Sequence, residues 1–440
     1  MADLFIINGG KKLSGEINLS GAKNAALKMI IAALLFEKKV VLKNIPRIND
    51  VNELISLIVS LGVKVKFLEK NTLVIDPIGL KKNQVDLLSA SKIRVSFMLF
   101  APLLYRFGEC FIPNPGGCRI GARPIDRIVD GMRKLGIEIE YNSQTGYYRA
   151  RMKKQPSGYY RFPKPTHTGT ELLIMLSVFS KKNVILENSA NEPEIDNLID
   201  FLNQAGAKIK KINDRIEITG VKKLFLNSSF EIISDRNEAV TYACLVLSTK
   251  GNLKINKIAP NHIKTFIDKI KLVGANVIKA NNSLIFQSTG FLKGVNIETS
   301  PHPGFMTDWQ PNWAVLMTRA TGRSVIVERV FENRFSYVEE LNKLGAKIKY
   351  IDHKVNNPES YYFFNYKKGE NYRQAIAIEG PVNLHNGVLN VADLRAGASL
   401  AMAALIARGE SVVNGVSILE RGYEDFVDKV KSLGGEIKKV

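Results

Sequence analysis

Cysteine is scarce in this chain: three residues, Cys110, Cys118 and Cys244, among 440. So few, and an odd number, cannot build a disulfide framework, which points to a reducing, cytoplasmic setting. Histidine is nearly as scarce, with five scattered residues and no CxxC or HExxH spacing, so no structural metal site is expected. Long apolar runs are missing too. A stretch such as IIAALLF (30–36) falls well short of the ~20 residues that cross a bilayer, so no membrane insertion is expected. The start, MADLFIINGGKKLSG, lacks the basic-then-apolar run of a signal peptide. Acidic residues are in deficit, 42 against 62 Lys and Arg, leaving a formal charge of +20. What is present is ordinary for a globular protein, 45% hydrophobic and 24% charged, which excludes wholesale disorder. At roughly 150 residues per domain the length suggests two or three domains. The surplus charge suits nucleic acid, a membrane surface or small anionic ligands.

Internal repetition organises the rest. A helix-to-strand junction recurs as LGVKV (61–65), LGIEI (135–139), AGAKI (205–209), VGANV (273–277), LGAKI (344–348) and LGGEI (433–437). Amphipathic sequence precedes each glycine, alternating sequence follows it, and glycine suits the left-handed cap between them. A second motif runs on the same period: a polar start, an apolar helix, a short turn and a strand, at 21–44, 91–114, 167–188, 235–256, 307–329 and 393–415. These second helices are apolar nearly all round and are expected to be buried, with the amphipathic set facing solvent. Six such units give a pseudo-symmetric α/β protein, readily split as two lobes of three. The block 349–392 is longer than its counterparts and carries NNPESYYFFNYKKGENYRQ (356–374), expected to be an inserted hairpin packing its rings on its own unit.

Chemistry concentrates at the helix starts. The buried set opens at Lys23-Asn24, Arg94, Thr168-Gly169, Asp235-Arg236, Thr307-Asp308 and Asp393-Leu394-Arg395. The amphipathic set opens near Asp50, Arg123-Pro124, Glu192-Pro193, Pro260-Asn261, Arg334 and Arg421. Asp, Thr and Asn there are ordinary caps. Cations oppose the helix dipole, so Lys23, Arg94, Arg123, Arg236, Arg334, Arg395 and Arg421 together indicate a site for a strongly anionic ligand. The loop NPGGCRIGARP (114–124) sets Cys118 among glycines and beside Arg119, where nearby cations make a thiol more reactive; an incidental loop cysteine is the alternative. Cys110 and Cys244 are expected to be small core residues. Asp308 follows SPHPGFMT (300–307), as a cap or as a general base.

These residues resemble the UDP-N-acetylglucosamine 1-carboxyvinyltransferases, a family of enolpyruvyl transferases, over essentially the whole chain. The motifs are SGAKNAAL (20–27), PGGCRIGARPID (115–126), ENSANEPEI (187–195), PHPGFMTDWQ (301–310), FENRF (331–335), ADLRAGASL (392–400) and ERGYEDF (420–426). The sister family, 3-phosphoshikimate 1-carboxyvinyltransferase, shares the fold but lacks the PGGC loop and the ENR motif. The resemblance implies a two-lobed inside-out α/β barrel of six βαβαββ units, three per lobe. One lobe would be 22–233 and carry the Cys118 loop; the other would be 1–21 plus 234–440 and carry Asp308.

It also implies the reaction: transfer of enolpyruvyl from phosphoenolpyruvate to the 3-hydroxyl of UDP-N-acetylglucosamine, with release of phosphate, opening peptidoglycan precursor synthesis. Motif for motif, Lys23 and Asn24 would hold phosphoenolpyruvate, with Arg123 and Arg421 on its phosphate and carboxylate. Cys118 would protonate the methylene carbon and carry the covalent phosphoenolpyruvate adduct, no separate cofactor being implied. Asp308 would take the hydroxyl proton. Arg123, Pro124, Ile125, Asp126 and Arg127 match the uridine segment, with Arg94, Asp308 and Val330 also on the sugar nucleotide, His167, Thr168 and Gly169 at its diphosphate, and Asp393, Arg395 and Arg334 in the surrounding polar set. The chain departs from many members at PTHTGTELL (165–173), which replaces a Ser-Val-Gly-Ala form. It departs again at Arg127 and Ile128, where Leu and His lie against uracil, and at Arg119, where a small residue is common. A paralogue acting on another nucleotide sugar is the alternative these departures permit. A nucleic-acid binder, suggested by the charge and the aromatic–basic stretch, leaves the PGGC loop and Asp308 without a role.

Overall fold

The computed structural model describes residues 3–116 and 125–440, which divide into two compact units, one of 21–116 and 125–233, the other of 3–20 and 234–440. Among the described residues the strands form six small sheets, three in each unit. One strand pattern recurs in five of them. In the first unit Gly158–Arg161 runs parallel to Val184–Glu187, which pairs antiparallel with Arg215–Thr219, which in turn forms a hairpin with Lys208–Ile212. In the second, Gly15–Asn18, Asn252–Asn256, Ser283–Gln287 and Asn276–Ala280 repeat the order and the directions. The three-stranded sheet of Glu109–Pro113, Tyr147–Arg151 and Glu138–Asn142 has only an isolated parallel bridge, Gln84 to Phe111, in the fourth place.

The helices separate as their periodicity dictates. Arg236–Ser248, Leu394–Ile406 and Gln310–Met317 are buried at every position, and Lys23–Ala32 at all but Asn24. Asn49–Ser60 buries Asp50, Val51, Leu54, Leu57 and Ile58, a single stripe at three- and four-residue spacing. Lys264–Val273 does the same with Phe266, Ile267, Ile270 and Val273. In the unit of 21–233 the buried apolar side chains make one cluster from Ala22 to Ile232. Cys110, in a strand, and Cys244, in a buried helix, are both enclosed, and burial pushes both thiols well above their usual range.

The repeated junction glycines Gly62, Gly136, Gly206, Gly274, Gly345 and Gly434 all take φ between +87° and +107°. Each lets the chain leave a helix and enter a strand within two residues, a conformation that a Cβ opposes. The segment 356–374 is not a hairpin. It contains the short helix Pro358–Tyr361 and otherwise no strand, and its rings pack mainly on each other. Tyr362 stacks on Phe364 and Tyr366, and Tyr372 meets both of those rings. Closely spaced aromatics satisfy one another here without a cross-strand partner.

The junction glycines make a graded test. A Cβ at Gly206 meets nothing within 4 Å, whereas one at Gly62 would stand 2.3 Å from the carbonyl oxygen of Gly79. Gly206→Ala is expected to cost about 1–2 kcal/mol of backbone strain, and Gly62→Ala distinctly more, read as the order of urea midpoints. Equal midpoints would contradict the steric account.

Candidate functional site

In the unit of 3–20 and 234–440, Asp308 is the centre of a buried ionic set. Its Oδ1 accepts from Arg334 Nη2 at 2.8 Å and its Oδ2 from Arg395 Nε at 3.2 Å. Both arginines are buried, while the aspartate side chain is 21% exposed. Burial by itself would raise the Asp308 carboxyl. The two guanidiniums outweigh it and hold the group well below the usual carboxylate range. Arg395 also lies over the Tyr423 ring, 5.5 Å from its centroid, and Arg334 Nη1 donates to Thr307 Oγ1 at 2.7 Å.

The supports of this set are themselves hydrogen-bonded. Asp393 caps the helix Leu394–Ile406 through the N–H groups of Arg395 and Ala396, and accepts from Ser336 Oγ at 2.9 Å. That cap fixes where Arg395 leaves the helix. Glu328, fully buried, accepts from Thr299, Thr307, Gln310 and the N–H groups of Val330 and Phe331. It thereby ties the segment before Asp308 to the loop that carries Arg334. Arg236, also buried, is 3.0 Å from His302 Nδ1, and Asp235 caps its helix. Among the described residues, Arg395 Nη1 and Arg334 Nε have no hydrogen-bond partner. Buried donors of that kind suit an incoming anion.

The other unit holds a second set. Lys23 opens the helix Lys23–Ala32 and its ammonium lies 2.6 Å from Asp50 Oδ2, in the first turn of Asn49–Ser60. Asn24 is half-buried beside it. His167, Thr168 and Gly169 form the first turn of His167–Ser177. A Cβ on Gly169 would stand 2.4 Å from Thr166 and 3.2 Å from Ile128, so a bare backbone is needed there. Arg94 opens the short 3-10 turn Arg94–Leu99. Ile125 is buried and precedes the helix Asp126–Lys134, on which Asp126 is exposed and Arg127 half-buried. Cys118, Arg119, Arg123 and Pro124 lie outside the described residues.

Three expectations about helix starts need correction. Arg334 lies in the loop before Val338–Lys343 rather than on the helix, because the chain there is bound to Glu328 and Gln374. Arg421 ends the 3-10 turn Val416–Arg421, where a cation agrees with the dipole. Asp308 is not a cap, since the helix Gln310–Met317 starts after Trp309 and has no side-chain cap; its carboxylate is taken by the two arginines. Glu328, Thr307, Ser336 and Asp50 were not singled out by sequence for these contacts. A carboxylate in strand-end sequence, as Glu328 is, carries no signal of its five donors.

Comparison with known proteins identifies the family. Residues 7–430 match the family model of EPSP synthase (3-phosphoshikimate 1-carboxyvinyltransferase). Proteins named UDP-N-acetylglucosamine 1-carboxyvinyltransferase from Pelagibacter ubique and Kosmotoga olearia are 38% and 34% identical, over 98% and 99% of this chain and 98% of each relative. Among solved structures, the enolpyruvyl transferase NikO from Streptomyces tendae superposes with a TM-score of 0.85 at 21% identity, covering 100% of this chain and 99% of that one. EPSP synthase from Acinetobacter baumannii gives 0.72 at 16%, covering 99% and 100%. Among the described residues no helix is long and apolar enough to cross a membrane.

The ionic set yields a stability test. A carboxyl whose folded-state pKa is depressed contributes stability above its unfolded value, about 3.9, and loses it as pH falls toward the folded value. Asp308→Asn is therefore expected to lower Tm at pH 6–8, and the gap to wild type should close as pH falls below about 4. A gap independent of pH would rule out the ionised carboxylate as its source. By fold, by family model and by full-length relatives, the chain belongs to the enolpyruvyl transferase family and, within it, to the UDP-N-acetylglucosamine 1-carboxyvinyltransferases.

Proposed function

We propose that the chain transfers the enolpyruvyl group of phosphoenolpyruvate to the 3-hydroxyl of UDP-N-acetylglucosamine, releasing phosphate, as the cytoplasmic step that commits the sugar nucleotide to peptidoglycan. The observation that carries this reading is Asp308 paired with both Arg334 and Arg395 in a chain whose residues 7–430 match the family model.

The chemistry is addition followed by elimination. Cys118 protonates the methylene carbon, which leaves cationic character on the neighbouring carbon. The sugar hydroxyl attacks that carbon, and its proton passes to Asp308. Two guanidiniums make Asp308 a weak base, but an oxygen bonding to a cationic carbon surrenders its proton readily, so an ionised acceptor in place suffices. Elimination then returns a methyl proton to the Cys118 thiolate as the carbon–oxygen bond to phosphate breaks, which restores the double bond, and the departing phosphate takes up the proton held by Asp308. Lys23 and Asn24 hold phosphoenolpyruvate, and Arg123 and Arg421 grip its anionic groups with charge-assisted bonds. Arg395 and Arg334 hold Asp308 and offer their unpaired N–H groups to developing negative charge. Arg94, Pro124, Ile125, Asp126, Arg127, Val330 and the turn His167–Gly169 belong to the sugar-nucleotide side, with Asp393 as the support of Arg395. The six-unit arrangement, three per lobe, accounts for one βαβαββ repeat behind each sheet.

Three measurements test this reading. Phosphate release must require both substrates together; its absence from the folded protein would overturn the assignment. Asp308→Asn is expected to lower kcat by about 100-fold or more, as for loss of a general base. Cys118→Ala should still bind both substrates yet form no covalent phosphoenolpyruvate adduct by mass spectrometry and resist alkylation by a thiol-directed epoxide. Full turnover in that variant would remove Cys118 from the mechanism.

A further inference from the structure

Beneath the turn His167–Gly169 lies a buried charge cluster that the reaction above does not use. Glu171, one helical turn after His167, is completely enclosed. Its Oε1 is 3.2 Å from His167 Nε2, and its Oε2 is 3.1 Å from the ammonium of Lys28, which is also buried. Glu192, at the start of Pro193–Gln204, acts on the same imidazole. The segment that carries Glu192 is tied to this turn by the N–H of Ala190, which donates to Thr170 Oγ1 at 3.1 Å. Among the described residues, Ser189 Oγ and Glu192 Oε2 are buried without hydrogen-bond partners. The helix has no side-chain cap and no acidic residue in its first turn. From its third side the turn meets Ile128 of Asp126–Lys134, which is apolar.

Protonating His167 adds one positive charge beside Glu171, Glu192 and Lys28, and deprotonation removes it. Nε2 faces Glu171 Oε1 at ion-pair distance, so Nδ1 is the nitrogen left for a ligand, and with the proton of the neutral ring on Nε2 it donates only in the imidazolium. Burial disfavours that form, and Lys28 does too. Glu171 and Glu192 outweigh them, leaving His167 above its ordinary range.

We propose that His167 is a proton-dependent anion ligand for the diphosphate of the sugar nucleotide, and that Glu171 and Lys28 are its positioning residues, fixing the ring and setting the pH at which it binds. This rests on the sugar-nucleotide reading of the turn given above. Deprotonation removes a donor and one positive charge from the side that meets the ligand.

The test is the KM for UDP-N-acetylglucosamine from pH 6 to 9 at saturating phosphoenolpyruvate. In the wild type it is expected to climb toward about tenfold per pH unit above the histidine's pKa, because only the protonated form binds. Glu171→Gln removes the charge that favours the imidazolium, so the climb should begin at lower pH. Lys28→Met removes a charge that disfavours it, so the climb should begin at higher pH. A purely structural role would not move the two profiles in opposite directions. His167→Asn should give a flat profile, and Lys28→Arg, which keeps the charge should Lys28→Met fold poorly, should keep the wild-type profile. A wild-type climb in His167→Asn, or shifts of Glu171→Gln and Lys28→Met in one direction, would overturn the proposal. Continued phosphate release with both substrates in those experiments would leave the transferase reading standing, so the two fail separately.

Discussion

Charge buried beside wholly apolar helices has to be matched locally, and Asp308 is where this constraint is most severe. It draws Arg334, from a loop, and Arg395, from a helix start, onto one carboxylate. Two guanidiniums enclosed without it would carry a desolvation penalty of several kcal/mol each. The pairing therefore fixes the relative positions of three segments far apart in sequence. Glu328 extends the same logic, since an enclosed carboxylate is tolerable only when its lone pairs are filled. In the proposed reaction the same carboxylate, though a weak base, is the ionised acceptor of the hydroxyl proton.

The other unit solves the same problem twice. Lys23 meets Asp50, whose place in the first turn of its own helix agrees with the dipole that Lys23 opposes. Lys28 meets Glu171 deeper in the apolar layer, where neither charge could persist unpaired. The two pairs differ in what they leave available. Lys23 lies at a helix start, where an anion can share its charge. Lys28 is enclosed, so it acts by its charge on Glu171, with which it pairs, and on His167.

The fold was legible in sequence to the extent that it rests on local pattern. Six LG-type junctions became six glycines of positive φ, because that conformation is set by the residue itself. Buried and amphipathic helices separated as their periodicity required. What was illegible depended on partners distant along the chain. Arg334 and Arg421 were read as helix starts from their flanking residues, yet hydrogen bonds to Glu328 and Gln374 hold the first in a loop and the second closes a 3-10 turn. Flanking sequence leaves Asp308 open as a cap or as a general base because capping is local; the arginines that take its carboxylate lie 26 and 87 residues away. The pairing of Lys28 with Glu171 had a faint signal, a lysine and a glutamate each set within an otherwise apolar helix.

The unpaired N–H groups of Arg395 and Arg334 follow from the same constraint. Leaving a buried donor unsatisfied costs about 1–3 kcal/mol, and a second carboxylate could have removed that cost. It would also have neutralised the site and repelled anionic substrates. The fold instead leaves one N–H group of each arginine without a partner, which in the proposed reaction is open to an incoming phosphate or carboxylate. The net charge of +20 is a diffuse property of the whole chain, and screening over about 10 Å blunts its exposed part. Selectivity for a small anion requires cations that are buried, fixed in direction and incompletely paired. Arg334 and Arg395 meet all three conditions, which is why the proposed function rests on these enclosed side chains and not on the larger surplus at the surface.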